Sequence, residues 1–213
     1  MKIDFHVHTN LSPCSVMKPR LAVKVAKKKG LDAIAIVNHN KLLKYNTKEF
    51  KVIPGEEIRA KQGEIIGIFL KNEIKPNLDA QKTINLIKKQ GGIAILPHVF
   101  DPLRRGLGKH IYELHNYDFI EYNGRCLLSR FNAKVLEFSK NNKVPVIGGS
   151  DAHYYEEIGS VITEVNSKTI DDAINKLLKG KGKIVENSIG LKKYMCYIKS
   201  PIRSALRKAL KYL

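Results

Sequence analysis

The stretch that decides the fold is MKIDFHVHTNLS, residues 1–12. Its apolar residues are Ile3, Phe5 and Val7, and they alternate with Asp4, His6 and His8. Alternation with a period of two predicts a β-strand, because successive side chains of a strand point to opposite faces. Two imidazoles and a carboxylate on one face are costly to bury unless they have partners. The segment therefore predicts a strand that carries part of a polar site.

The rest of the chain alternates short apolar runs with amphipathic segments. Further strands are predicted at residues 32–37, 51–54, 64–70, 93–97, 118–122, 144–149 and 161–165, and helices between 19 and 30 and at 79–90, 129–142 and 169–179. Strands that alternate with helices indicate an α/β fold with a largely parallel sheet. About seven such units in roughly 180 residues favour a small β/α barrel over a long open sheet.

The sequence is divided into a barrel domain at residues 1–180 and a basic extension at 181–213. The extension ends in SPIRSALRKALKYL, whose apolar residues fall on one helical face. This amphipathic segment is interpreted as a helix docked on the barrel. A surface for RNA or anionic lipid, or an oligomer contact, is the alternative.

The composition constrains the partners and the compartment. The 213 residues carry a formal charge of +18, which favours acidic partners such as nucleic acid, phosphorylated substrates or anionic membrane. A lysine-rich surface typical of thermophiles would explain the same charge. The three cysteines, Cys14, Cys126 and Cys196, are far apart and odd in number, which predicts a reducing, cytoplasmic location without disulfides. No signal peptide and no transmembrane span are expected.

Histidines and carboxylates recur at the predicted strand ends. After the first strand come His39, Glu56, Glu57, His98, Glu121, Asp151 and His153. The carboxyl ends of parallel strands meet at one rim, where α/β folds bind ligands. Imidazole and carboxylate donors suit Zn²⁺, Mn²⁺ or Fe²⁺, and a His-x-His pair can direct both rings to one ion. A tetrahedral ion takes four ligands, and this rim offers more donors than that. Two or three divalent metal ions are therefore predicted.

Five separated motifs resemble those of a known family. In order they are MKIDFHVHTNLSPCS, VNHN, PGEEI, PHVFD and GGSDAH, and they resemble the PHP domain (polymerase and histidinol phosphatase). The resemblance runs from residue 2 to about 180. It implies a distorted, seven-stranded, TIM-like (β/α)7 barrel with up to three metals at the carboxyl rim, and hydrolysis of phosphate esters.

The resemblance also implies a set of metal ligands. His6, His8, Glu57 and Asp151 would hold one ion, with Glu57 as a bridge. His39 and His153 would contribute to a second ion, and His98 would help to hold a third.

Several positions depart from the family pattern. Asn38 stands where an aspartate is common, which changes the surroundings of the ligands. The stretch SPCS stands where many members have a carboxylate or a histidine. Cys14 or a water would have to take the place of that side chain. Glu64 follows Gly63 where a histidine is common, and it would be a ligand of the third ion or a nearby base. Glu121 lies near the place of a later histidine ligand.

The predicted function is a metal-dependent phosphoesterase. In this hypothesis a metal-activated hydroxide near Glu57 attacks phosphorus, and Asp151 or His153 protonates the leaving oxygen. Arg104, Arg105, Lys109 and Arg125 are candidates for holding the phosphate, because cationic side chains bind it strongly; a solvated basic loop is the alternative. The substrate is expected to be a phosphorylated small molecule, a nucleotide or a nucleic-acid end.

Two other functions stay open at this point. A non-catalytic RNA- or protein-binding barrel would have lost several of the ligand positions, and here the main ones are present. A metal-dependent C–N hydrolase often has a carboxylated lysine. No lysine stands clearly at a strand end among these motifs.

Overall fold

The computed structural model of the protein describes residues 1–187 together with residues 190, 195 and 199. In this part of the chain the strands and helices up to residue 177 follow the order predicted from the sequence, and one further strand, at residues 183–186, was not predicted. They are β1 (Lys2–Val7), α1 (Pro19–Lys28), β2 (Ala33–His39), β3 (Lys51–Arg59), β4 (Glu64–Ile68), α2 (Ala80–Lys89), β5 (Ile93–Leu96), β6 (Phe119–Asn123), α3 (Ser129–Asn142), β7 (Val146–Gly149), β8 (Val161–Glu164), α4 (Ile170–Leu177) and β9 (Lys183–Glu186). A short 3₁₀ helix (Gly108–Glu113) lies between β5 and β6.

The strands form one sheet in the order β7-β6-β5-β4-β3-β2-β1-β8-β9. Strands β1, β2 and β3 pair in parallel, as do β5, β6 and β7. Strand β4 is antiparallel to both of its neighbours, and β8 is antiparallel to β1 and β9. The first residue of β4 therefore lies at the edge where its neighbour β3 ends.

The sheet curls until its two ends meet. The Gly148 amide of β7 donates to Thr163 Oγ1 of β8 over 2.7 Å. Just beyond β7, Ala152 exchanges backbone hydrogen bonds with His6 and His8 of the first strand region, at 3.2 and 2.9 Å. These contacts nearly close the sheet into a barrel. The predicted distorted, TIM-like α/β barrel is confirmed, although the described part contains nine strands rather than seven.

The strict alternation predicted for β1 is wrong. Its pairing with β2 shifts by one residue between Asp4 and Val7, which is a β-bulge. As a result, Val7 packs in a different part of the core from Ile3 and Phe5. Every residue from Ile3 to Thr9 is buried, so neither face of this strand is exposed to water.

Helices cover the barrel on several sides. Ala22 and Ala26 of α1 pack on Ile34 and Ile36 of β2, while Ile84 and Ile87 of α2 belong to a cluster with residues of β4, β5 and α3. Helix α2 begins at Asp79, whose carboxylate accepts hydrogen bonds from two backbone amides of its first turn. These layers fix the outer faces of the strands and leave one rim to the loops.

Strand β9 pairs with β8, so residues 183–186, which the sequence analysis assigned to the extension, belong to the sheet. The predicted helix at 200–213 lies outside the described residues. Among the residues with described positions, no helix is long and apolar enough to cross a membrane.

Candidate metal centre

The predicted donors gather at one rim of the barrel. His6 is near the end of β1 and His8 just beyond it, His39 ends β2, and Glu57 is in β3. His98 follows β5 in a turn, and Asp151 and His153 follow β7. Antiparallel β4 brings its first residue, Glu64, to the same rim. All of these side chains are buried except His39, whose side chain is 25% exposed.

A first group of donors consists of His6, His8 and Asp151, with Glu57 beside them. His6 Nε2 and His8 Nε2 are 3.0 Å apart. Each lies 3.4–3.6 Å from a Glu57 oxygen and from Asp151 Oδ1. Ligands about 2.0–2.1 Å from a tetrahedral Zn²⁺ are about 3.3–3.4 Å from one another. The spacing of His6 Nε2, His8 Nε2 and Asp151 Oδ1 therefore suits one divalent ion, and Glu57 lies beside them, with Oε1 toward His6 and Oε2 toward His8.

Glu57 is shared with a second group of donors. Its Oε2 lies 2.8 Å from His39 Nδ1, and its Oε1 lies 3.1 Å from His98 Nε2. Glu64 completes this group, with its two oxygens 3.8 Å from the same two histidine nitrogens. A carboxylate between two donor groups is placed to bridge two ions.

A third group consists only of histidines. Donor nitrogens of His8, His39 and His153 lie within 4.8 Å of one another. The ring centroids of His8 and His153 are 4.2 Å apart, and those of His8 and His39 are 4.6 Å apart. We call these three residues the outer histidine cluster.

Buried polar atoms without hydrogen-bond partners support a cation at this place. Among the described residues, Glu57 Oε2, Asp151 Oδ1 and His98 Nδ1 have no hydrogen bond of acceptable geometry. Buried acceptors are almost always satisfied in folded proteins, so two orphaned carboxylate oxygens that face imidazoles indicate a missing positive charge. The residues present therefore fit a divalent metal centre.

The electrostatics of the first group keep its carboxylates ionised. Burial raises the pKa of Asp151, but Arg104 and His6 outweigh this effect and hold the pKa well below its ordinary value. Burial likewise raises the pKa of Glu57, and His39 and His6 lower it well below its ordinary value. The carboxylates are therefore charged and ready to coordinate at neutral pH.

The histidines fall into two classes. Burial lowers the pKa of His6 and His39, but nearby carboxylates reverse this effect and raise both values well above the ordinary one. Burial and the neighbouring His39 lower the pKa of His8 to about 3. Burial, His8 and Arg125 lower the pKa of His153 well below its ordinary value. Metal binding would have to displace protons from His6 and His39.

A second layer of side chains orients the donors, and sequence reasoning missed part of it. Glu121, predicted as an uncertain ligand, instead faces the back of His6, with Oε1 2.8 Å from Nδ1. Ser12 Oγ lies 3.0 Å from His8 Nδ1 and donates to the Asn38 side chain. Such partners fix the ring orientation and the nitrogen that faces the metal. Ser12 carried no sequence signal, because a serine in a loop has many ordinary roles.

Asp4 does not join the donors, contrary to the expectation from β1. Its carboxylate accepts hydrogen bonds from the backbone amides of His6, Ser150 and Gly159, at 2.8–3.2 Å. It therefore ties β1 to the segment that carries Asp151 and His153. The β1 bulge explains the difference, since it breaks the shared face of Asp4 and His6.

Of the four candidate phosphate-binding residues, two reach the centre. The Arg104 guanidinium contacts Asp151 Oδ2, and its side chain is 13% exposed. Arg125 is buried, with Nε 3.1 Å from Glu157 Oε1 and a terminal nitrogen 2.8 Å from His153 Nδ1. Arg105 and Lys109 are exposed on the outside of the loop after β5.

Comparisons with known proteins identify relatives of this chain. Residues 129–181 match the profile of the PHP-associated family. The chain is 35% identical over 209 residues to the uncharacterised protein MJ0417 of Methanocaldococcus jannaschii, covering 88% of this chain and 86% of that protein.

Two solved structures share the fold at low sequence identity. PsfC from Pseudomonas syringae superposes with a TM-score of 0.68 at 14% identity, over 96% of this chain and 98% of PsfC. A proposed metal-dependent phosphoesterase from Bifidobacterium adolescentis superposes with a TM-score of 0.61 at 16% identity, over 84% of this chain and 96% of that one. At these identities the likeness concerns the fold alone.

Proposed function

Because this chain belongs to the PHP family, we propose that it is a metal-dependent phosphoesterase. The observation that carries the proposal is the first donor group, in which buried atoms of His6, His8 and Asp151 lie close enough to hold one divalent ion, with Glu57 beside both histidines. Glu57 also belongs to the second group, as expected of a bridging carboxylate in a polynuclear site. Such sites stabilise both ends of an in-line phosphoryl displacement.

The proposal assigns each donor a role. His6, His8, Glu57 and Asp151 would hold one ion; Glu57, Glu64 and His98 would hold another; and His39 and His153 would hold a third. Bound divalent ions would supply an activated water and neutralise charge on the phosphate. Glu121 and Ser12 would keep the rings of His6 and His8 in place.

Arg104 is the best candidate for holding the substrate phosphate. It is largely buried at the rim, and its present partner is Asp151, a proposed ligand. Its planar fork suits two phosphate oxygens. We assign the proton of the leaving group to neither His153 nor Asp151, because the pKa of each is held well below its ordinary value. The net charge of +18 makes nucleotides and nucleic-acid ends the first substrates to test.

The two rival functions receive less support. A carboxylated lysine in a C–N hydrolase would lie buried between metals, and no lysine is among the buried residues of the described chain. A non-catalytic barrel would have no need to keep seven buried donors and the partly buried His39 at one rim.

The test is elemental analysis combined with hydrolysis of an aryl phosphate in added Mn²⁺ or Zn²⁺. We expect two or three metals per chain and activity that is lost in the His6→Ala/His8→Ala variant. A cyclic amide assayed in parallel distinguishes C–N hydrolysis. A protein that binds no metal and stays inert in added metal would refute the proposal.

Two adjacent arginines supply a matched pair for the substrate site. We expect Arg104→Ala to raise KM for the aryl phosphate at least tenfold with metal content unchanged, because a charged contact of this kind contributes about 1.5–3 kcal/mol. Arg105→Ala, one residue along and exposed, should leave KM within about twofold. Equal effects of the two changes would contradict the role given to Arg104.

A further inference from the structure

Arg59, the last residue of β3, places a positive side chain at the rim of the barrel. Side chains of a strand alternate between its two faces, and β3 pairs in unbroken register with β2 and β4. Ile53 belongs to a cluster with residues of β1 and β2, whereas Ile58 packs in the cluster that contains α2. Arg59 therefore shares the inner face of β3 with Ile53 and Glu57, one step nearer the rim than Glu57.

The backbone of Arg59 is held by two contacts outside the β3–β4 pair. Its amide donates to Asn40 Oδ1 over 2.8 Å, and its carbonyl accepts the Asn77 amide over 2.7 Å. The Asn40 amide in turn donates to the Glu57 carbonyl over 2.9 Å. Because Asn40 directly follows His39, these contacts fix the position of Arg59 relative to two members of the second donor group.

The guanidinium of Arg59 forms no ion pair with a carboxylate of the described chain. Glu64 stands directly opposite Arg59 on β4, where opposite charges can pair across a sheet. The Glu64 oxygens instead lie 3.8 Å from His39 Nδ1 and His98 Nε2, and so face the second donor group. Arg59 Nε is buried and has no hydrogen-bond partner among the described residues. A buried donor costs stability unless an acceptor reaches it, which points to an anion from outside the chain.

Arg104, the arginine already assigned to the substrate phosphate, differs from Arg59 in this respect. Its guanidinium contacts Asp151 Oδ2 and is therefore paired with a carboxylate. The rim thus carries one arginine beside the first donor group and another beside Glu64 of the second. A phosphate bound at the proposed metals would lie between positive side chains on both sides.

We propose that Arg59 is a second substrate-binding residue, which donates to the phosphate from the Glu64 side while Arg104 donates from the Asp151 side. The inference rests on the proposed phosphoesterase function and adds a residue that lies just beyond the PGEEI motif. A guanidinium suits this role, because its planar fork donates two hydrogen bonds to a tetrahedral oxyanion. The same contact would supply the acceptor that the buried Nε lacks within the described chain.

The test measures phosphate binding and does not depend on turnover. Protein loaded with Zn²⁺ is titrated calorimetrically with inorganic phosphate at physiological salt, which screens the general attraction of a chain with charge +18. We expect Arg59→Ala to raise the Kd for phosphate by about tenfold or more, with metal content unchanged, since hydrogen bonds from a charged group are strong. Arg59→Lys keeps the stem and the charge but loses the planar fork, so it should fold and bind phosphate with intermediate affinity.

Lys61→Ala is the matched control, because Lys61 is an exposed cation of the same hairpin and lies near Asp79 at the start of α2. It should leave the Kd within about twofold. Wild-type affinity in either Arg59 variant, equal losses in Arg59→Ala and Lys61→Ala, or loss of metal from Arg59→Ala would overturn the assignment and leave the phosphoesterase proposal standing. Zn²⁺-loaded wild-type protein that neither binds phosphate nor hydrolyses the aryl phosphate would refute both proposals.

Discussion

Gly149 is the residue at which barrel closure and the metal centre meet. A methyl group on its Cα would collide with Glu121 Oε1 and would lie 2.6 Å from His6 Cβ. His6 donates or accepts at both ring nitrogens, so any displacement of its side chain disturbs both Glu121 and the first donor group. Only a residue without a side chain allows β7 to approach β1 this closely.

We therefore expect Gly149→Ala to lower zinc affinity at least tenfold, by the loss of ring orientation, and to destabilise the fold by about 1–3 kcal/mol through overpacking. Isothermal titration and urea unfolding measure the two effects. The control is Gly91→Ala, an exposed turn residue at φ +76° with open space around its Cα. Gly91→Ala should lower the free energy of unfolding by about 1 kcal/mol and leave zinc affinity unchanged. Equal zinc affinities of the two variants would contradict this account.

Glu56 shows how different two adjacent carboxylates can be. Its Oε2 accepts the Ile74 amide over 2.9 Å, and its Oε1 has no partner among the described residues. Burial raises its pKa from 4.5 to about 7, while Glu57 next to it stays ionised. Glu56 therefore stabilises the fold most below pH 4.5, and this contribution is lost as pH rises through about 7.

We expect Glu56→Gln to remove this loss, because glutamine resembles the protonated acid at every pH. The variant should gain stability over the wild type between pH 4.5 and 8, by on the order of 3 kcal/mol at roughly 1.4 kcal/mol per pKa unit. Urea unfolding in a chelator, at both pH values, measures the difference. A gap between the two proteins that does not change with pH would show that Glu56 titrates normally.

At the scale of single residues, the sequence predicts the clustered donors better than the side chains that orient them. His6, His8, His39 and Asp151 were recognisable as candidate donors because imidazoles and carboxylates recur at the predicted strand ends, and the structure brings them to one rim. The role of Ser12 could not be predicted, because it depends on the tertiary contact that brings the His8 ring next to the Ser12 hydroxyl.

Among the secondary-structure elements, α1 begins without the usual capping. Lys18 precedes Pro19 with an extended backbone, no side chain caps the first turn, and no acidic residue occurs in it. Because a side-chain cap and an acidic residue are both missing, the free amides and the positive end of the helix dipole are left uncompensated. By comparison, Asp79 caps α2 with its carboxylate.

We expect Lys18→Asp to stabilise the protein by about 1 kcal/mol, because aspartate both caps the amides and complements the dipole. The control is Lys24→Asp, an exposed position in the middle of the same helix. It removes the same charge without reaching the free amides, so it should have little effect. Thermal and urea unfolding at low salt compare the two variants. The same gain in both would indicate relief of net charge instead of capping.

Element types were predictable, but strand direction was not. The runs that become β4 and β8 have the same apolar character as their parallel neighbours. Direction is set by the connection, and the short turn between Arg59 and Glu64 leaves room only for a hairpin. The β1 bulge was equally hidden, because both registers bury apolar side chains.

The whole molecule carries its metal donors as a buried, charged cluster. Asp151, Glu57 and their histidine neighbours are all within the barrel rim, where their mutual interactions replace solvation. A ligand that binds only the folded state stabilises it by mass action, about 2.7 kcal/mol at 100 times its Kd. Metal should therefore act on global stability as well as on catalysis.

We expect added Zn²⁺ to raise the thermal midpoint and a chelator to lower it, in a concentration-dependent way. In the His6→Ala/His8→Ala variant the Zn²⁺ effect should shrink strongly, since the first donor group loses half of its ligands. Calorimetry with and without metal measures both. A wild-type midpoint that does not respond to Zn²⁺ would contradict a pre-formed centre.

The α/β class of the sheet could be inferred from periodicity alone, because strand and helix patterns alternate over most of the chain. Its closure could not. That depends on the contacts of Gly148 and Ala152 with distant strands, and no local pattern encodes them.

The long-range contact of the Asp4 carboxylate also bears on the order of events during synthesis of the chain. It accepts the Gly159 amide from 155 residues further along the chain. A ribosome that adds about 5–20 residues per second needs on the order of 10 s to produce that partner. Until then the nascent strand β1 exposes its His-x-His pair without the barrel around it. Any ion that needs both the His-x-His pair and Asp151 could therefore bind only after translation of β7 and the segment beyond it.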